Sequence, residues 1–282
     1  MGSETFDNIE ELARNILDSD KKIFLYYAFN GMGKTRLSMK LRRLVEDDNN
    51  IDEYLKILYY NSFIEDLFIW DNNDIDSSVL KIDKHSEFFS LLKDLGQEKR
   101  ITSKFQEFTL SKLEPAFNLV TGEVTFRIPK GNEVIENIKI SRGEESIFIW
   151  SIFLVMLETI LSDLSINGVE ERTTENYNNL QYIFIDDPMS SLDDNNIIEV
   201  AMSLKELVKN AKSLDIKVII TTHHPLFYNV LYNEIKEIRN LECCFIRNER
   251  NRYIKEKQND AIFGYHHFII HEIKNAISNN KI

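Results

Sequence analysis

Lys34 and Thr35 end a short glycine-bearing run, Ala28-Phe29-Asn30-Gly31-Met32-Gly33-Lys34-Thr35, whose residue types suit a triphosphate. Gly31 and Gly33 let the backbone curl so that N–H groups point inward at a phosphate, with Asn30 and Met32 completing the turn. A helix opening at Lys34 adds the positive end of its dipole, and Arg36 falls in its first turn. Lys34 would reach the β- and γ-phosphates, and Thr35 would offer its hydroxyl to Mg2+. Ala28 stands where the general pattern has glycine, a mild departure if that position tolerates a methyl group. Further along, Asp186 and Asp187 end the apolar run Tyr182-Ile183-Phe184-Ile185. Asp186 would hold Mg2+ through water, and Asp187 would orient or deprotonate an attacking water. His223 follows a second apolar run, Val218 to Ile220, and would contact the γ-phosphate from the side. Ser141 and Gly143, with Glu144 and Glu145 after them, open a long apolar stretch, where a helix tip could bind an anion.

Each motif alone has a plainer reading. A glycine turn before a surface helix, two carboxylates capping a turn, a packed histidine and an ordinary helix cap need no ligand. Their order separates the readings: phosphate cradle, signature turn, magnesium carboxylates, switch histidine. That order is the one of an ABC-type P-loop NTPase head, an α/β fold with ATP or GTP and Mg2+ as cofactors. In that class two nucleotide sites form when two copies meet head to tail, so a homodimer or higher oligomer is expected. Ser141, Gly143 and Glu144 of one protomer would clamp the γ-phosphate held by Lys34 of the other. Asp193, in Ser191-Leu192-Asp193, would lie at the seam, although that segment also reads as a helix start. Most members of the class carry glutamate at the place of Asp187, so the shorter aspartate implies slow hydrolysis. Their coordinating glutamine after the second strand is not obvious here; Asn61 stands nearest to that place. His267 and His271 have half a zinc spacing, but no glutamate immediately follows His267 and no cysteine completes the set, so a solvated helix face is expected.

These side chains need elements to hold them. Ile9, Leu12, Ala13, Ile16 and Leu17 recur at helical spacing after the possible caps Thr5 and Asp7. Ile23 to Tyr27 read as a buried strand, 34–45 as a helix, 46–53 as a polar loop and 56–61 as a second strand. The stretch 64–113 reads as mostly helical, a lobe inserted within a single domain over 1–282. Phe117 to Arg127 turn at Thr121-Gly122 as a hairpin. Gly143 to Leu164 form the longest helix candidate. Strand–helix units follow at 182–208 and 217–235, and a last helix is expected over 263–277. Alternating strands and helices imply a mostly parallel sheet covered on both faces, with an antiparallel hairpin portion.

The 282 residues suffice for a large core. The balance of 34 basic against 46 acidic residues, a formal net charge of −12, argues against autonomous nucleic-acid binding. Lys40, Arg42 and Arg43 form one small basic run. No apolar run approaches the roughly 20 residues that span a bilayer, so no membrane partner is expected. The start lacks a basic and apolar leader, and two adjacent cysteines, Cys243 and Cys244, point to opposite faces of a strand. Both features suit a reducing, cytoplasmic setting.

Beyond the nucleotide motifs, the chain resembles the PrrC-type bacterial tRNA anticodon nucleases from about Ile23 to its end. The likeness is carried by Tyr27 to Gly31 with Lys34 to Ser38, by Gly143 to Ser146 with Phe148 to Ser151, and by Phe184 to Pro188 with Ser190 to Asn195. Phe227 to Leu231, Asn61 to Phe68 and Leu91 to Gln97 extend it. The resemblance implies an NTPase regulatory domain that keeps a toxin silent until phage infection disturbs a host type I restriction–modification complex. It also implies a C-terminal domain cutting a tRNA anticodon loop with an arginine, a glutamate and a histidine. No residue here matches those three, so the chain is read as a truncated form, a fragment or one partner of a split system. Two rivals stand beside this reading. One is a nucleotide-gated sensor or scaffold with little turnover, which Asp187 supports. The other is a DNA-repair or SMC-type ATPase head, which an insert without heptads disfavours.

Overall fold

All five residues of Ile23–Tyr27 are buried, as a central strand covered on both faces requires. Ile23, Leu25 and Tyr27 enter one core while Phe24 and Tyr26 enter a second, the alternation that a pleated strand imposes. The computed structural model describes residues 2–46, 55–71, 78–131, 133–166, 168–173, 175–188, 194–250 and 252–258. Asp193, His267, His271 and the helix expected over 263–277 lie outside the described residues.

The chain begins with β1 (Ser3–Phe6), α1 (Ile9–Asp18), β2 (Ile23–Tyr27), α2 (Lys34–Glu46) and β3 (Ile57–Asn61). Next come β4 (Phe68–Asp71), β5 (Val79–Ile82), α3 (Glu87–Leu95) and α4 (Glu98–Thr109). A hairpin of β6 (Glu114–Asn118) and β7 (Glu123–Lys130) follows, with β8 (Glu133–Ile135) on the outer edge of β7. The last part comprises α5 (Arg142–Leu164), β9 (Tyr182–Asp186), α6 (Asp194–Ser213), β10 (Lys217–Thr222), α7 (Pro225–Ile235), β11 (Leu241–Glu249) and β12 (Arg252–Lys257).

The main sheet has the order β1-β12-β11-β2-β10-β9-β3. From β11 to β3 every pairing is parallel, and β12 and β1 add an antiparallel end. The second sheet, β4-β5-β7-β6, is antiparallel. The fold is therefore the expected mixed α/β class with a mostly parallel sheet. Leu12 and Ile16 of α1 and Leu37 and Leu41 of α2 cover one face with Phe24, Phe184 and Cys244. The other face, with Ile183, Val218 and Cys243, packs on α5, α6 and α7. Cys243 and Cys244 thus do point to opposite faces, both as free, buried thiols.

The structure departs from the sequence reading in four places. Among the described residues, the segment 64–113 opens on the end of a 3-10 helix (Ser62–Leu67) and is α-helical only in its second half, because β4 and β5 precede α3. They pair with each other, and β5 is joined to the distant β7, with Leu80 opposite Val124; four residues in each strand are too few to show a period of two. Strands β1 and β12 were not foreseen either: β1 is a polar edge strand and β12, far away in the chain, lies between it and β11, with Ser3 opposite Glu256. The cap of α1 is Asn8, whose side chain accepts from Glu11 N, rather than Thr5 or Asp7. Finally, α5 is long and apolar enough to cross a membrane by length and composition, with mean hydropathy 1.9. Every residue from Ser146 to Leu157 is buried, so its all-round apolar surface is that of a core helix. Four phenylalanine rings, Phe68, Phe105, Phe117 and Phe126, surround Phe148 of this helix and dock the second sheet and α4 onto it.

Candidate functional site

Parallel strands all end at one edge of their sheet, and the candidate residues gather there because of register. Asp186, last in β9, lies opposite Asn61 of β3 on one side and Thr221 of β10 on the other. Alternation places Asp186 on the face of Phe184, which is the face that α2 covers. Thr35, in the first turn of α2, accordingly donates its hydroxyl to Asp186 Oδ2 at 3.0 Å. Thr221 donates to Asp186 Oδ1. Burial raises the Asp186 carboxyl above its ordinary value and the neighbouring Asp187 charge adds to this, while the two threonine hydroxyls pull it back.

The loop between β2 and α2 has the curled form expected of it. Gly31 and Gly33 take φ of +81° and +95°, a region closed to most side chains. At Gly33 an added Cβ would also lie 3.2 Å from the Tyr253 hydroxyl of β12. The helix then starts with Leu37 N bonded to Gly33 O, which leaves the N–H groups of Lys34, Thr35 and Arg36 without intrahelical acceptors. Lys34 folds back under the loop, donating to Ala28 O at 3.2 Å, Phe29 O at 3.4 Å and Asn30 Oδ1 at 3.2 Å. Its ammonium also stands 3.6 Å from Asp187 Oδ2. Met32 packs toward the α1–α2 core, whereas Asn30 and Arg36 are exposed.

Asp187 follows the strand in a left-handed conformation, φ +51°, with its N–H donating to Thr221 O at 2.8 Å. That backbone is uncommon for residues other than glycine, asparagine and aspartate. It turns the carboxylate toward His223, whose Nδ1 meets Asp187 Oδ2. The Thr222 hydroxyl and the His223 N–H donate to Oδ1 at 3.3 and 3.4 Å. Burial pushes this carboxyl up, but the hydrogen bond from His223 and the charges of His223 and Lys34 outweigh it and hold Asp187 below the usual range. An ionised Asp187 fixes the proton on His223 Nδ1 and leaves Nε2 free for another partner.

Asn61, at the place where a glutamine was sought, is buried beside this cluster. Its Nδ2 donates to the Tyr59 hydroxyl at 3.0 Å, and Tyr59 lies 2.6 Å from Ser38 Oγ. Ser38 donates its own proton to Thr35 O at 2.7 Å, so Tyr59 must be the donor to Ser38. Burial lifts the Tyr59 phenol to about 12, which keeps that proton in place. A directed chain of hydrogen bonds therefore runs from Asn61 to the backbone of Thr35. The sequence assigned no role to Tyr59, Ser38, Thr221 or Tyr253. The apolar pair Tyr253 and Ile254 inside an otherwise charged run was the one signal that could have flagged β12. The basic run beside this cluster is engaged by acids, Lys40 with Glu10 and Arg42 with Glu46.

The signature residues stand elsewhere. Ser141 caps α5 in a reciprocal box: its side chain accepts from Glu144 N, and Glu144 Oε2 accepts from Ser141 N at 2.8 Å. Ser141, Gly143 and Glu144 line an open cleft of about 850 Å³, walled by the last residues of α4 with Leu110 after them, and by Asn196, Ile198 and Glu199 of α6. No residue of the loop 28–35 lines that cleft. The structure thus brings Lys34, Thr35, Asp186, Asp187 and His223 together and leaves Ser141, Gly143 and Glu144 outside the cluster.

The donor set can be tested against Mg2+. A threonine hydroxyl and a carboxylate at one point are hard oxygen ligands, and Mg2+ commonly takes one or two such groups with phosphate oxygens and water completing its shell. Thr35 and Asp186 fit that role. Among the described residues no group of three or more His, Cys, Asp or Glu side chains could hold a metal on its own.

No family model matches the sequence. Among solved structures, similarity is found to a Pyrococcus furiosus Smc head domain with an extended coiled coil, bound to the C-terminal domain of ScpA. It has 13% identity and TM-score 0.35, over 64% of this chain and 38% of that one. A SmcHead bound to the C-winged helix domain of ScpA gives 15% and 0.40, over 80% and 61% of the two chains. The SMC head domain from Thermotoga maritima gives 12% and 0.36, over 85% and 90%. Sequence similarity is far stronger to an Escherichia coli protein described as an anticodon nuclease. The two are 42% identical over 283 aligned positions, covering 93% of this chain and 70% of that protein. With that identity along nearly its whole length, the chain belongs to the anticodon nuclease family.

Proposed function

We propose that this chain is a nucleotide-binding and hydrolysing regulatory domain, using ATP or GTP with Mg2+, and that two copies close head to tail around two nucleotides. The observation that carries this reading is the meeting of Lys34, Thr35, Asp186, Asp187 and His223 at the carboxyl edge of one parallel sheet. Lys34 would exchange its loop carbonyls for β- and γ-phosphate oxygens, and the free N–H groups at the start of α2 would bind the same phosphates. Thr35 and Asp186 would hold Mg2+, which when bound offsets charge on the transferring phosphoryl group. Asp187, oriented by His223, would position the attacking water, and His223 Nε2 would face the γ-phosphate. Ser141, Gly143 and Glu144 would come from the other protomer, with Asp193 at the seam. Residues 1–282 would form one such domain, with 64–113 as its inserted lobe. By family, it would govern a tRNA anticodon nuclease domain or subunit in cytoplasmic antiphage defence, with a type I restriction–modification complex as a further partner.

A second reading, a gated scaffold with little turnover, is favoured by one observation. The short Asp187 carboxylate is already engaged by His223 and Lys34. Light scattering beside a turnover assay separates the two. Nucleotide with Mg2+ is expected to double the mass and support slow turnover. An unchanged mass at saturating nucleotide would overturn the head-to-tail reading, and a doubled mass without turnover would favour the scaffold.

The length of Asp187 gives a sharper test. Asp187→Glu moves the carboxylate one methylene closer to the substrate, against about 1 kcal/mol for a longer side chain in left-handed backbone. Single-turnover cleavage is expected to speed up about tenfold. An unchanged or slower rate would show that carboxylate reach is not what limits the reaction.

A further inference from the structure

We propose that Trp70 is a positioning residue for the signature turn and ties the antiparallel sheet to the composite nucleotide site. Its consequence for turnover rests on the head-to-tail reading above; its effect on the turn does not. Trp70 lies on β4, yet its indole touches the chain on both sides of residues 141–144. The ring nitrogen donates to Glu145 Oε2 at 2.9 Å, immediately after Glu144. The Lys139 ammonium stands over the ring, 5.9 Å from its centroid, two residues before Ser141. One contact is a charge-assisted hydrogen bond and the other a cation–π interaction, so the edge and the face of one rigid ring fix the two flanks of the turn.

The ring is itself fixed from behind. Trp70 packs beside Phe126 at 6.2 Å between centroids, and Phe126 packs on Phe148 of α5 at 5.1 Å. Phe126 and Phe148 are fully buried. Trp70 is thus an extension of the core that docks the second sheet on α5, ending in a single donor aimed at the helix tip. The reciprocal cap of Ser141 and Glu144 sets the local shape of the turn, but nothing in that cap fixes the turn relative to β4. Trp70 does. A displacement of about 1 Å at a phosphate-binding group can cost on the order of a hundredfold in rate. A shift of the antiparallel sheet would move Ser141 and Gly143 by way of this indole.

The test uses the full chain. Trp70→Phe keeps a ring against Phe126 and removes the N–H, whereas Glu145→Gln keeps an acceptor in the same place. In Trp70→Phe without nucleotide, hydrogen exchange of the amides 144–147 is expected to quicken about tenfold, with the amides 34–41 unchanged. Nucleotide affinity of the lone protomer stays within about twofold, while the nucleotide concentration that drives dimerisation rises about tenfold. The turnover number falls and the apparent KM for nucleotide rises with the concentration needed to dimerise, while Glu145→Gln resembles the unsubstituted chain in each measurement. Unchanged exchange at 144–147 overturns the proposal. Quickened exchange at both 144–147 and 34–41 overturns it as well, by making Trp70 a general stabilising residue. If the unsubstituted chain fails to dimerise, the head-to-tail reading falls, and the exchange result still decides the role of Trp70.

Discussion

Lys34→Ala is expected to weaken nucleotide binding about a hundredfold, read by calorimetric titration against the unsubstituted chain. The size follows from what surrounds the ammonium. It is 9% exposed, and its neighbours are two backbone carbonyls, the Asn30 side chain and the Asp187 carboxylate. All of these present negative charge or the negative end of a dipole toward the place where phosphate oxygens would come. Removing Lys34 takes away the ammonium that offsets them and leaves Asp186 and Asp187 to repel a triphosphate. Charge-assisted hydrogen bonds of this kind contribute about 1.5–3 kcal/mol each, and more than one would be lost. Folding should suffer less, because the alanine keeps the helix start and the loop carbonyls remain open to water. Thermal unfolding of the variant therefore serves as the control. Binding that stays within tenfold, a loss under about 1.4 kcal/mol, would mean that the cluster around Lys34 is not a nucleotide site.

What the sequence revealed and what it hid divide along the range of the interactions. The loop between β2 and α2 was legible because strand, turn and helix start are consecutive, and Gly31 and Gly33 mark the left-handed positions directly. Asp186 and Asp187 were legible because a buried strand ending in two carboxylates is a local pattern. The left-handed backbone of Asp187 was not, since aspartate is only one of several residues that accept it. The partners that complete the site come from far away in the chain. Thr221 meets Asp186 through the parallel pairing of β9 with β10, and Tyr253 reaches Gly33 through a strand whose charged residues resemble a loop. Strands β4 and β5 were mistaken for helix because four residues each show no period, and the strand that joins them to the sheet, β7, lies beyond two helices. Trp70 was invisible as a functional residue for the same reason. Its meaning depends on where α5 begins in space.

Mixing two inactive variants is expected to restore activity, and this outcome bears most directly on whether the sites are shared. Lys34→Ala disables the phosphate loop. Gly143→Asp places a carboxylate at the tip of α5, where it suits the helix dipole, so folding is preserved, but it repels an incoming phosphate. Each variant alone is expected to lose turnover about a hundredfold, because both sites of its dimer carry the lesion. In a mixed head-to-tail dimer the two lesions fall into the same site. The other site joins an unaltered Lys34 from the Gly143→Asp protomer to an unaltered Gly143 from the Lys34→Ala protomer. Random pairing makes half of the dimers mixed, each with one intact site of two, so turnover should return to about a quarter of the unsubstituted level. The separation already visible within one chain makes the test decisive. The cleft lined by Ser141, Gly143 and Glu144 is walled by α4 and α6 and by no residue of the phosphate loop. If the signature acted on its own chain, or not at all, mixing would restore nothing. Recovery that depends on both variants and on nucleotide can arise only when the loop of one protomer and the helix tip of the other hold the same phosphate.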